Sequence, residues 1–245
     1  VKIRPFRAPH HTVSVQALTG GGRRPKPGEI SLATGGILFL DELPEFSRAA
    51  LETLRQPLED REVTVSRVEA TVTYPANFQL VAAMNPCPCG HFPDLARCRC
   101  TEGQITRYLQ KISGPLLDRI DLCVEASPVT YGDVRGGGEN EASGAIRARV
   151  EQAREIQKER FMEENIRCNG EMAGRHIRKY CVLGKEEETF MEEIFEKLAL
   201  SARMHDRILK VARTTADLAG ESKIRLSDLC EAVSYVKSRE KFWGN

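Results

Sequence analysis

The sequence predicts an α/β body followed by a separate helical bundle, and three observations carry that prediction. Ile37-Leu38-Phe39-Leu40 is an unbroken apolar run that ends on Asp41-Glu42, the pattern of a strand covered on both faces. Phe78 to Met84, apolar apart from Gln79, reads as a second buried strand and stops at Asn85-Pro86. Beyond a Gly-rich interruption at Val129 to Gly144, apolar residues recur at helical spacing instead. The predicted organisation is an α/β core over 1–128, a linker over 129–144 and a helical subdomain over 145–245.

Composition narrows the function classes. Lys+Arg 36 against Asp+Glu 35 gives a formal net charge of +1, so any surface for nucleic acid must be local. No apolar run approaches the roughly 18 residues that span a bilayer, and no signal-like start is present, which predicts a cytoplasmic protein without a membrane partner. Eight cysteines without an export signal read as thiols or metal ligands rather than disulfides. The chain opens on Val1-Lys2-Ile3 with no initiator Met, which reads as a start in mid-domain.

In chain order, residues 1–34 are rich in turn formers and basic residues. Thr12 to Leu18 predicts a short strand. Gly20-Gly21-Gly22-Arg23-Arg24-Pro25-Lys26 predicts a basic loop, suited to a phosphate backbone or simply solvated. His10-His11 is weak evidence for a metal without a third ligand nearby. Asp41 and Glu42 fall at a strand's carboxyl end, where α/β sheets bind ligands. Adjacent carboxylates there suit a cation on nucleotide phosphates and activation of a water, or equally a solvated acidic turn. Ser47 to Glu59 predicts a helix with Ser47 as N-cap and Pro57 disturbing its last turn. Val63 to Ser66 and Ala70 to Tyr74 predict a hairpin, with Arg61 near its base and Arg67 near its tip. Asn85 can position an attacking water or cap a turn. Ile120 to Val124 predicts a third short strand. In the bundle, Ile146, Val150 and Ala153 mark one face, and Phe190, Met191, Ile194, Phe195 and Leu198 a second. Met204, Ile208, Val211, Thr215 and Leu218 mark a third, capped by Ser201 and closed by Gly220, and Leu229, Val233 and Val236 mark the last.

Cys87-Pro88-Cys89 and Cys98-Arg99-Cys100 place four thiols within fourteen residues. Four thiolates close a tetrahedral Zn²⁺ site with no open position, hence a structural one, although the spacing is tighter than the common zinc pattern. His91 can replace one ligand, and four reduced thiols are the alternative. Cys123, Cys168, Cys181 and Cys230 lie in apolar or helical stretches and read as packing thiols.

These features together resemble a known family. Gly35 to Glu42 resembles a Walker B segment, and Asn85 stands where AAA+ ATPases carry sensor 1. Gly114-Pro115-Leu116-Leu117-Asp118-Arg119-Ile120-Asp121 is similar to the arginine-finger segment of the magnesium-chelatase and MCM branch, and Ser201-Ala202-Arg203 to its sensor 2 helix. Arg4 to His11, Pro27 to Ala33 and Asn85 to Gly90 narrow the resemblance to the magnesium-chelatase-like proteins of the ComM (YifB) family. The resemblance covers essentially the whole chain in order. It implies a partial AAA+ P-loop NTPase core, with a parallel sheet, flanking helices and β-hairpin inserts, followed by an all-α lid. One departure stands out: no G-x-x-x-x-G-K-[ST] occurs in these residues, as expected of a fragment lacking the N-terminal domain and Walker A and inactive alone.

The resemblance also implies roles. Asp41 would hold Mg²⁺, Glu42 would polarise the attacking water and Asn85 would orient it. Arg119 would reach a neighbouring subunit's site, and Arg203 would contact the γ-phosphate of ATP. On the residues alone, Arg119 reads as a surface salt bridge to Asp118 or Asp121, and Arg203 as a helix-surface arginine. The implied protein is a homo-hexameric, Mg-dependent ATPase acting on single-stranded or branched DNA. It would be a helicase or branch-migration factor in natural transformation or recombination. The alternatives are a motor subunit of a metal-chelatase-type remodeller, and a non-enzymatic zinc-stabilised binding module.

Overall fold

The computed structural model describes residues 3–66, 70–126, 131–135 and 141–243. The chain forms two compact units, Val1–Asp121 and Leu122–Asn245.

The first unit runs β1 (Phe6–Arg7), α1 (Val15–Thr19), β2 (Gly20–Gly21), β3 (Lys26–Pro27), α2 (Glu29–Leu32) and β4 (Ile37–Leu40). It continues through α3 (Arg48–Glu52), α4 (Arg55–Asp60), β5 (Glu62–Ser66), β6 (Thr71–Pro75), β7 (Gln79–Ala82), α5 (Glu102–Leu109) and α6 (Gly114–Leu117). Its central sheet has the order β1-β4-β7 with both pairs parallel, so β4 lies in the middle and all three carboxyl ends share one edge. The Gly pair before β4 has a steric reason. Gly35 is left-handed at φ 78°, and a Cβ on Gly36 would meet the Pro5 carbonyl oxygen at 1.9 Å. That closeness lets the Ile37 N–H donate to the same carbonyl at 2.9 Å.

Several expectations are corrected. Leu38 and Leu40 are fully buried, but Ile37 and Phe39 are only half-buried, and beside them Phe6 is 62% and Val81 37% exposed. The sheet is therefore well covered on one face only among the described residues. Thr12 to Leu18 is not a strand: the Ser14 hydroxyl accepts the Ala17 N–H and starts helix α1. The single helix over Ser47 to Glu59 is two. Ser47 caps α3 as expected, but Pro57 has no N–H for the Thr53 carbonyl, and α3 stops at Thr53 before α4 begins. Ile120 to Val124 pairs with no strand. The Ile120 N–H turns back to the Leu117 carbonyl at 3.1 Å, and Leu122 and Val124 are exposed.

The expected hairpin is present as β5 and β6, with Val63 and Val65 buried and Thr64–Thr73 and Ser66–Thr71 hydroxyl pairs across it. Arg61 stands at its base in a left-handed turn, and Arg67 lies outside the described residues. The basic loop is a second, smaller hairpin of β2 and β3, and the Tyr74 hydroxyl donates to its Pro25 carbonyl at 2.8 Å.

The second unit holds α7 (Tyr131–Arg135), α8 (Ser143–Arg160), α9 (Gly174–Tyr180), α10 (Lys185–Lys197), α11 (Ala202–Leu218) and α12 (Leu226–Trp243). Within the expected 129–144 linker, the described residues include α7 and the start of α8, while Gly136-Gly137-Gly138 lies outside the described residues. Ser201 caps α11 through the Met204 N–H. Gly220, at φ 72°, closes it in a Schellman motif, with Glu221 N–H to Ala216 and Gly220 N–H to Asp217. The α11 stripe differs from its apolar periodicity. Its buried residues are Ile208, Leu209, Ala212, Arg213, Ala216 and Asp217, and Leu218 faces solvent. Ile146 and Val150 are also exposed, so α8 buries only its second half, from Ala153.

Candidate functional site

Because β1, β4 and β7 are parallel neighbours, the segments leaving their carboxyl ends lie side by side. The β4 end delivers Asp41 and Glu42, the β7 end delivers Asn85, and the β1 end leads to His10-His11. The ladder extends past the strands: the Ala83 N–H donates to Leu40 at 2.9 Å, and the Leu43 N–H to Ala83 at 3.0 Å. Asp41, Glu42 and Asn85 are all exposed at this edge.

Glu42 adopts a left-handed conformation (φ 53°, ψ 46°), uncommon for a residue with a Cβ. Two contacts hold it there. Its N–H donates to Asp41 Oδ1 at 2.9 Å, and its Oε2 lies 2.9 Å from His11 Nδ1. The His11 ring is placed by His10, with centroids 4.0 Å apart, and by the edge of Phe46. His11 was legible only as a weak metal candidate; its partnership with Glu42 spans two strands and leaves no local signal.

Helix α5 stands near this edge. Its Tyr108 is buried, and burial first, then the charges of Glu45, Cys87 and Glu42, push the phenol upward from its ordinary value. Lys111 lies 5.6 Å above the Tyr108 ring and 3.5 Å from Glu45 Oε2.

The four cysteines come together directly after Asn85. The Sγ atoms of Cys87, Cys89, Cys98 and Cys100 all lie within 4.8 Å of one another, at 3.4 Å for 87–89, 3.8 Å for 87–98 and 3.6 Å for 89–98. A Zn–S bond of about 2.3 Å in a tetrahedron puts sulfurs about 3.8 Å apart, so the set fits a four-thiolate ion. Sulfur-directed donors are in place too: the Phe92 N–H points at Cys87 Sγ, and backbone N–H groups of His91 and Arg99 reach Cys89. Those donors lower Cys89 to about 6, whereas burial and the neighbouring thiols push Cys100 up to about 12. The split follows from crowding sulfurs that cannot all ionise without a cation between them. His91 is not among the grouped ligands. Of the remaining cysteines, Cys181 is a core residue with its Sγ toward the Leu209 carbonyl, and Cys230 is exposed.

Arg119 has a partner that the sequence does not point to. Its guanidinium donates to the Pro115 carbonyl at 2.6 Å and to Glu59, sixty residues away in sequence. Arg203 is exposed on the first turn of α11, in the second unit. The exposed Arg23, Arg24 and Lys26 surround the tip of the β2–β3 hairpin.

No described helix is long and apolar enough to cross a membrane. Residues 1–134 match the family described as magnesium chelatase, subunit ChlI, and residues 140–236 match its C-terminal family. Among similar proteins, competence protein ComM of Haemophilus influenzae is 50% identical over 96% of this chain and 45% of its own length. A Salmonella typhimurium protein called YifB is 48% identical over 95% of this chain and 45% of its own, and a Mycobacterium tuberculosis protein is 41% identical over 94% and 46%. The chain spans less than half the length of these relatives. With both family matches in chain order and close identity throughout, the chain belongs to the magnesium-chelatase ChlI family, in its ComM/YifB branch.

Proposed function

We propose that this chain carries the hydrolytic edge and the helical lid of an ATP-driven motor that works on DNA, as a helicase or branch-migration factor in transformation or recombination. The observation that carries the reading is the placement of Asp41-Glu42 and Asn85 at the carboxyl ends of adjacent parallel strands. The exposed Asp41 carboxylate is the donor a hard cation takes, and Mg²⁺ held there would neutralise phosphate charge. Glu42, fixed by His11 and Asp41, accepts a proton from the attacking water, and Asn85 orients that water. Arg119 exchanges Glu59 for the γ-phosphate in a neighbouring subunit's site, which calls for a ring, a homo-hexamer by resemblance. Arg203 senses the same phosphate from the lid. Arg23, Arg24 and Lys26 are the residues that touch the DNA backbone. The name "competence protein" borne by one relative is in keeping with a DNA task in the cytoplasm. Four cysteines spaced for a tetrahedral ion support Zn²⁺ as a second, structural metal.

The test is ATP turnover of the full-length protein with and without single-stranded and branched DNA. DNA-stimulated turnover, lost in Glu42→Gln and reduced about 10³-fold or more in Arg119→Ala, supports the motor. Robust turnover indifferent to DNA refutes the DNA task and moves the assignment to a chelatase-type remodeller.

A further inference from the structure

Sequence and spacing point to a metal on the four cysteines; the structure indicates what such a metal is for. The loop it would close begins and ends on the hydrolytic edge. At its start, Cys87 is fully buried two residues beyond Asn85. Gly90, left-handed at φ 79°, backs onto the Asn85 side chain, where an added Cβ would lie 3.8 Å from Cγ and Oδ1. At its finish, Cys100 abuts Thr101, the N-cap of α5. The Thr101 hydroxyl accepts the Gln104 N–H at 3.3 Å, and Gln104 Oε1 accepts the Thr101 N–H at 2.9 Å. Helix α5 then carries Tyr108 to within electrostatic reach of Glu42, Glu45 and Cys87, and just beyond it Lys111 pairs with Glu45.

Little apolar burial orders the loop. Leu95 is 81% exposed, and most residues from 88 to 99 are exposed. Short turns such as Cys98 N–H to Asp94 at 2.7 Å shape the strip locally, but they do not tie it across its ends. Closing such a strip costs entropy that scarce apolar burial does not offset, whereas a structural metal supplies the closing free energy outright.

We propose that a four-thiolate Zn²⁺ on Cys87, Cys89, Cys98 and Cys100 acts as a positioning pin that fixes Asn85 and helix α5 about Glu42 and so sets the geometry of the hydrolytic edge. On binding, each thiol still protonated releases its proton to solvent. The resulting dianionic centre is balanced by the Cys87- and Cys89-directed N–H donors and by Arg97 and Arg99, which border the same pocket as Cys89. The residues acting on water remain Glu42 and Asn85, and the cysteines act through them. The part of the proposal that concerns turnover rests on the motor reading above; the part that concerns geometry does not.

The experiment uses the full-length protein, with zinc content measured by elemental analysis and tetrahedral thiolate ligation by the visible spectrum after cobalt exchange. Amide hydrogen exchange is read at 83–85 and 102–112 before and after chelation, and in Cys98→Ser. About one zinc per chain, with faster exchange in both flanking segments once it is removed, is the expected result. In the turnover assay, Cys98→Ser lowers kcat by about 10–100-fold with the nucleotide Kd unchanged, and adds no further loss in an Asn85→Ala background. Absence of bound zinc overturns the proposal. So does bound zinc whose removal loosens only residues 87–100, or a Cys98→Ser loss that multiplies with that of Asn85→Ala. A zinc-loaded protein that shows the exchange effect yet never hydrolyses ATP refutes the motor and leaves the pin standing.

Discussion

Replacing Asp217 by Ala is expected to cost the helical unit about 3–5 kcal/mol, the usual penalty for breaking a buried ion pair from one side. The carboxylate has no exposed surface and is shared by two guanidinium groups and an amide. Arg160 reaches it with two N–H groups, at 2.7 Å to Oδ2 and 2.5 Å to Oδ1. Arg213 Nε donates to Oδ1 at 3.1 Å, and Asn169 Nδ2 to Oδ2 at 2.8 Å. After truncation Arg213 keeps the Glu221 and Ser222 carbonyls at 2.6 and 2.9 Å, and Arg160 keeps Asn169 Oδ1 at 3.0 Å. Neither keeps a counter-charge in this network, while their side chains are only 3% and 13% exposed. The assay is urea unfolding followed by fluorescence of Trp243, the sole tryptophan, which ends α12 and so reports this unit. With a slope of about 1.5 kcal/mol/M, the midpoint falls by about 2–3 M. Asp217→Asn retains an acceptor but no charge, and is expected to lose about 2 kcal/mol. A shift below about 0.5 M in Asp217→Ala would mean that water already solvates the two arginines, and the network would not be the hub of this core.

Acid should loosen the same unit through Glu164. Lys179 at 2.8 Å, the Tyr180 hydroxyl at 2.9 Å and nearby His176 hold its carboxyl at about 2, below its ordinary 4.5. Its contribution is therefore complete above about pH 4.5 and lost as the pH falls toward 2, and Glu164→Gln should flatten that limb of a Tm-against-pH curve. Gly36→Ala drives a methyl into the Pro5 carbonyl and is expected to cost about 1–3 kcal/mol or more, read as a lowered Tm. His11→Ala removes the 2.9 Å partner of Glu42. In the full-length enzyme it should lower kcat about tenfold while leaving KM for ATP in place; a rise in KM at constant kcat would show that His11 serves binding instead.

Much of the site was legible because its signals are local. The apolar run before Asp41-Glu42, the stop at Asn85, the caps at Ser47, Ser201 and Gly220 and the two cysteine pairs each concern residues within a turn or a loop of one another. Their physics is contained in a short stretch of chain. The misread strand at Thr12 to Leu18 was local too, but there the Ser14 cap outweighed β-branched composition.

What only the tertiary structure decided is who meets whom across long separations. His11 meets Glu42 because β1 and β4 are parallel neighbours, and Arg119, just past α6, meets Glu59 of α4 across sixty residues of chain. Asp217 and Arg213 lie on the buried stripe of α11 although apolar periodicity places the face elsewhere. A charge is tolerated in a core only when a partner neutralises it, and Arg160 joins the local Arg213 in doing so from 57 residues away. Spacing alone made most of the elements, the grouping of the cysteines and the carboxylates at the strand end legible. The partners that hold Glu42, Arg119 and Asp217 were decided by the packing of those elements, because a pairing between remote residues leaves no period in the sequence to read.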